Sequence, residues 1–233
     1  MEIDIVSGLL FYVVFLFAVT LHEAAHAWAA LKLGDPTAYQ GGQVTLDPRP
    51  HIKREPFGMV VLPLISVVLI GWPFGFASAP YNPNWAMRFP KRAAWMALAG
   101  PVSNLLLMII SGVAIYALLQ AGIFAAPERV AFEHLVDPVR EGPWSALAFF
   151  LSAMYSLNLL LFVFNLFPVP PLDGSGVVPL FLSDEMTTRY QQAVWGNPQI
   201  GFIGILVAWY AFDFVFSPVW NLAINVLLPG SYG

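Results

Sequence analysis

The sequence predicts an all-α, polytopic integral membrane protein with about six membrane-embedded segments, some of them short or re-entrant. Two observations carry this. Of the 233 residues, 58% are hydrophobic and only 10% are charged, where a soluble domain has about 25% charged. The apolar residues also gather into runs long enough for lipid, since a spanning helix needs about 20 of them. Between the runs lie polar stretches rich in Pro and Gly. The length suits a single membrane-embedded domain over residues 1–233. The net charge of −4 and the absence of a basic patch argue against nucleic acid as a partner. The chain has no cysteine, which excludes disulfides, iron–sulfur ligation and a cysteine nucleophile.

Each element follows from the order of these runs. The chain starts Met1-Glu2-Ile3-Asp4, without the basic n-region of a signal peptide, so the first apolar run over 5–33 reads as a retained helix. Gly34 and Pro36 stop it. Residues 35–56 are polar and turn-rich, and Gly41-Gly42-Gln43-Val44-Thr45-Leu46-Asp47 is expected to form a small β-hairpin after the first helix. Residues 57–72 are apolar but short for a span, and Pro63 interrupts them. Residues 73–92 are rich in Pro and Gly. Long apolar helices are expected over 93–121 and 144–167, joined by a charged loop of mixed sign. A Pro-rich turn, 168–174, leads into a short apolar piece ending near Leu182. After a polar stretch, 200–228 are apolar again. Asp213 and Ser217-Pro218 break this run into an expected pair of shorter helices, 200–212 and 218–228. Trp209-Tyr210 reads as an interface anchor.

Lys and Arg collect on the cytoplasmic side of membranes. The first residues carry only acids, while 35–56 carry Arg49, Lys53 and Arg54. This predicts an N-terminus outside and a cytoplasmic 35–56 loop. The 73–92 loop is basic too, so 57–72 would dip into the bilayer and return. The pieces at 41–47 and 73–83 then offer strand-like edges to which an extended peptide could add.

His22-Glu23-Ala24-Ala25-His26 lies inside the first apolar run. Residues four apart share a helix face, so the two imidazoles form half a metal site, with Glu23 turned about 100° away, close enough to reach a metal-bound water. Ionisable groups in a membrane are costly and mark function. Catalytic zinc takes three protein ligands and keeps one open position, so a third ligand is required. Ala29 and Lys32 stand where a metzincin would have glycine and histidine, which excludes that class. His51, His134, Asp173, Asp213 and a few loop acids remain as candidates. Asp173 lies at a suitable depth, in a turn framed by prolines and Gly174. His22 precedes Lys32 by ten residues, which places the centre about 15 Å from the cytoplasmic end of the helix.

Three blocks carry a resemblance: HEAAH at 22–26, GPVSN at 100–104, and NLFPVPPLDG at 165–174. Together, in this order, they resemble the site-2 protease family of intramembrane zinc metalloproteases. The turn-rich 41–52 is similar to the loop that follows HExxH there. The resemblance implies one Zn2+ per chain held by His22, His26 and Asp173, with Glu23 as general base. It implies that Asn165 positions substrate or stabilises the oxyanion, while Asn104 reads as a helix-packing residue. The chain resembles the compact branch without PDZ or CBS domains. The expected function is hydrolysis of peptide bonds in transmembrane protein substrates at the cytoplasmic side of the bilayer, as regulated intramembrane proteolysis. Two other readings compete: a membrane zinc hydrolase acting on a lipid amide or prenylated C-terminus, and a non-catalytic membrane binding protein. The Asp173 motif argues against the first and an intact Glu23 against the second.

Overall fold

The computed structural model describes residues 5–195 and 199–230. The acidic residues 1–4, on which the expectation of an outside N-terminus partly rests, lie outside that range. Among the described residues, four helices are long and apolar enough to cross a membrane: α1 (Ile5–Leu33), α6 (Pro90–Gln120), α7 (Pro143–Asn165) and α10 (Gln199–Leu227). Between them come the short helices α2 (Thr37–Gln40), α3 (Pro48–Arg54), α4 (Leu62–Ile70), α5 (Pro83–Arg88), α8 (Asp173–Val177) and α9 (Asp184–Trp195). Proline opens α3, α5, α6 and α7, where a missing N–H costs nothing and the fixed φ suits a helix. Asp47 and Asn82 cap α3 and α5 by accepting backbone N–H groups.

The long helices stack in an order that places the site. α6 packs along both α1 and α7, which also touch each other. One apolar cluster joins α1 to the 59–77 region and to Ala153, Met154 and Leu157 of α7. A second joins α6, α7 and α10 around Ile115, Tyr155, Ile224 and Leu227. α10 rests mainly on α7 and leaves Phe202, Trp209, Tyr210 and Phe214 exposed, as a lipid-facing helix does.

Residues 57–82 fold back on themselves as their length and prolines predict. A π-helical turn over Phe57–Val61 leads into α4, and Gly71 at φ 77° caps its end in the left-handed region. The chain returns without helix. The Phe76 N–H donates to the Gly58 carbonyl at 3.0 Å, and the Ser78 hydroxyl donates to Glu55 at 2.5 Å. The two limbs thus end side by side. Asp35, almost fully buried, closes the same end by accepting from the Thr37 and Asn82 backbone N–H groups at 3.0 and 2.7 Å.

Two details differ from the sequence reading. Residues 41–46 form turns with no strand, because α2 and α3 occupy the flanks and Gln43 turns inward and is buried. The two-stranded antiparallel piece lies instead in the 122–143 loop, with Phe124 opposite Pro138 and Ala125 opposite Asp137. α10 also runs unbroken through Asp213 and Pro218. A proline removes a single helical hydrogen bond, and Ser217 donates to the Asp213 carboxylate at 3.0 Å, so the acid has a partner on its own helix.

Candidate metal centre

His22 and His26 project from one face of α1 towards α6 and towards the start of α8. Asp173 opens α8 directly after the turn that ends α7. The model brings these three together: one donor atom from each lies within 4.8 Å of the others. Nε2 of His22 is 3.0 Å from Asp173 Oδ2, Nε2 of His26 is 3.3 Å from the same oxygen, and the two Nε2 atoms are 3.0 Å apart. Both histidines are buried and Asp173 is half-buried.

The donor set fits zinc by two tests. Ligand atoms about 2.0–2.1 Å from a tetrahedral ion lie roughly 3.3 Å from one another, close to the three distances above. The second test concerns protons. The His26 Nδ1–H donates to the Met96 carbonyl at 2.8 Å and the His22 Nδ1–H donates to Asn104 Oδ1 at 2.6 Å. Each ring therefore turns its Nε2 lone pair to the centre, where it meets the other lone pair and a carboxylate oxygen. Three acceptors converging in a buried place are satisfied by a cation.

Gly100 makes this approach feasible. A Cβ at position 100 would overlap Nε2 of His26 and would lie 2.5 Å from Nε2 of His22. Glycine lets the α6 backbone pass against both rings, and Pro101 follows inside the helix without ending it. Gly174 serves the other side, where a Cβ would overlap the Leu166 and Phe167 carbonyls, so the turn after α7 can close tightly under Asp173. The GPVSN and LDG blocks thus meet at the same centre.

Glu23 is buried beside His22 and lines a cavity of about 270 Å³ that also reaches His26 and Asp173. The returning limb at 77–81 contributes one wall in irregular, non-helical form. The N-terminal turns of α6, from Pro90 to Ala97, contribute another. The far wall comes from α9 through Tyr190, Gln191 and Val194. The Tyr190 hydroxyl donates to the Ser175 carbonyl at 2.8 Å, and burial raises its pKa above the ordinary value. Lys91 donates to the Pro179 and Leu182 carbonyls at 2.7 and 2.6 Å, tying the start of α6 to the chain after α8.

The other sequence candidates fall elsewhere. Asn165 is the last residue of α7, half-buried, and does not line the cavity. His51 is buried with Nε2 on the Thr45 carbonyl at 3.1 Å, His134 pairs with Asp137, and Asp213 faces outward on α10. The sequence reading missed Asn158 and took Asn104 for packing alone. Asn104 and Asn158 are fully buried, and their side chains bond to each other. The available signal was an amide inside the apolar run 144–167, since polar groups at membrane depth are seldom idle.

Comparison with known proteins gives the family. The family model described as Peptidase family M50 matches residues 10–207. Among relatives that carry the name "putative zinc metalloprotease", YwhC of Bacillus subtilis is 35% identical over 81% of this chain and 74% of its own. Rip2 of Mycobacterium tuberculosis H37Rv is 31% identical over 84% of this chain and 64% of its own. Rip2 of Mycolicibacterium smegmatis is 29% identical over 82% of this chain and 63% of its own. The chain thus spans less than two thirds of the Rip2 proteins. No solved structure matches it. A family match over most of the chain, four helices fit for a membrane and a donor triangle fit for zinc lead to one assignment: this chain belongs to peptidase family M50, the site-2 protease family of membrane zinc metalloproteases.

Proposed function

We propose that the chain is an intramembrane zinc endopeptidase that cleaves peptide bonds in transmembrane segments of protein substrates, as regulated intramembrane proteolysis, and that residues 1–233 act as a single domain. His22, His26 and Asp173 hold one zinc ion, and Glu23 is the general base. The observation that carries the reading is the convergence of Asp173 on two histidines 151 and 147 positions earlier in the chain, at the wall of a cavity that Glu23 also lines.

Zinc held by these donors lowers the pKa of water towards ~7 and polarises a carbonyl oxygen. The remaining work falls to the protein. The Glu23 carboxylate takes the proton of the attacking water and delivers it to the leaving amine nitrogen as the C–N bond breaks. Asn165, at the end of α7, stands outside the cavity lining, so its proposed oxyanion role, worth about 3 kcal/mol in other hydrolases, requires substrate binding to draw the end of α7 towards the centre. The substrate enters unwound, because a helical peptide bond is screened by its own hydrogen bonds. The N-terminus lies outside, and the centre lies in the cytoplasmic half of the bilayer.

Glu23→Gln separates binding from catalysis. The variant is expected to hold zinc like the wild type and to lose cleavage of a membrane-inserted substrate by at least ~10³-fold, consistent with loss of a general base. Mass spectrometry of the chain it traps identifies the substrate. Unchanged cleavage by this variant would overturn the hydrolase reading.

A further inference from the structure

The two histidines are held by different kinds of partner. The acceptor for His26 is a backbone carbonyl, which no side-chain substitution removes. The acceptor for His22 is the Asn104 amide, and an amide can turn either end towards a ring. Which end it turns decides the tautomer. With Oδ1 towards the ring, Nδ1 carries the proton and Nε2 is free to ligate. With Nδ2 towards the ring, Nδ1 becomes the acceptor, the proton moves to Nε2, and the ligand is lost.

A chain of hydrogen bonds removes the choice. The Met154 carbonyl on α7 can only accept. Asn158 Nδ2 donates to it at 2.8 Å, which leaves Asn158 Oδ1 facing α6. Asn104 Nδ2 donates to that oxygen at 2.8 Å, which leaves Asn104 Oδ1 facing α1. The His22 Nδ1–H then has an acceptor and no alternative. Both amides are fully buried, so water cannot offer a competing pattern. The direction of three hydrogen bonds is set by one backbone oxygen two helices away.

We propose that Asn104 and Asn158 are positioning residues that fix the tautomer and orientation of His22, so that α7 reads out in the metal affinity of α1. The proposal rests on His22 being a zinc ligand. Loss of such outer partners costs roughly 10–100-fold in metal affinity. Asn158→Leu keeps the branched skeleton of the side chain, with a larger volume, but frees Asn104 to turn. Asn158→Asp, as a neutral carboxyl in this buried place, keeps both functions: its O–H donates to the Met154 carbonyl and its C=O accepts from Asn104.

The test is zinc affinity of the purified full chain by competition with a chromophoric chelator, together with the visible spectrum of the Co2+ form. Asn158→Leu is expected to weaken zinc by roughly 10–100-fold and alter the Co2+ bands. Asn158→Asp is expected to stay within about threefold of wild type. Equal loss in both variants would reduce Asn158 to a packing residue and overturn the proposal, as would wild-type affinity in Asn158→Leu. His22→Ala separates the two readings. If it binds zinc like the wild type, the zinc-site reading fails. If it loses zinc while Asn158→Leu does not, only the positioning proposal fails. A measurement on the wild type adds a readout that does not rest on the Asn158 variants. In 15N-histidine spectra of the metal-free protein, His22 Nδ1 is expected to carry a proton, whether or not Asp173 shares another with Nε2, with the resonance assigned by its absence in His22→Ala. A bare Nδ1 would overturn the proposal.

Discussion

Gly100→Ala adds one methyl group and should disable the metal centre while leaving the helix intact. The two effects have opposite sign, so their separation is informative. Alanine in a helix interior is favoured over glycine by about 1 kcal/mol, so α6 alone gains from the change. The new Cβ, however, lies 2.5 Å from His22 Nε2 and 2.6 Å from His26 Cε1, where ordinary contact begins at 3.4 Å. The Cβ overlaps His26 Nε2 more closely still, so the rings must retreat by roughly 1 Å, or α6 must move off α1 by as much. A misplacement of about 1 Å at a reacting centre can cost on the order of 10²-fold in rate. The ligand triangle is only 3.0–3.3 Å on a side, so a shift of that size also takes the donors out of reach of one ion. The assay is zinc affinity and turnover of a membrane-inserted substrate, with Gly201→Ala as control, because nothing lies within 4 Å of a Cβ there. The expected result is a loss of about 10²-fold in turnover for Gly100→Ala, weakened zinc and an unchanged control. Wild-type zinc affinity and turnover in Gly100→Ala would refute the view that glycine is there for the approach of α6 to the histidines.

Two further outcomes follow from the same geometry. Chelation should lower the thermal midpoint of the purified protein, since zinc bound to the folded state alone contributes about 2.7 kcal/mol at a hundredfold excess over its dissociation constant. His26→Ala should show no such chelator response. The chain has no cysteine, so a single one at position 82 can be labelled cleanly. The fold-back of 57–82 and the Asp35–Asn82 hydrogen bond predict that it labels from the cytoplasmic side in intact cells, and labelling from outside alone would reverse the proposed topology.

The parts legible in the sequence are those where one residue type leaves one option. The HEAAH run in an apolar helix specified two imidazoles on one face, and the short proline-broken run 57–72 specified a segment that turns back. The Pro-rich turn before Asp173 indicated a third donor, although choosing it over His51 or His134 needed the family resemblance. What stayed hidden depends on partners distant in sequence. Asn104 reads as packing until Asn158 appears across from it, because an amide's role is set by its neighbours and not by its own chemistry. α9, polar over most of its length, gave no hint that Tyr190 and Val194 would wall the cavity. Residues 41–47 had β-like composition, yet burial of Gln43 and the caps of α3 decided for turns. Asp213 and Pro218 looked like a break because helix signals calibrated on water overstate the cost of a proline that the surrounding helix carries.

The distance in sequence between the donors is also a distance in time. At roughly 5–20 residues per second, about 8–30 s separate synthesis of His22 from that of Asp173, 151 residues later. Throughout that interval α1 holds two imidazoles and a carboxylate with no third donor. Help arrives in stages. Met96 and Asn104 emerge near the halfway point and can fix the outward nitrogens of both rings before any oxygen is present to complete the set. On the proposed ligand set, the nascent protein therefore passes through a half-built state, and the centre is completed only once the second half of the chain has been made.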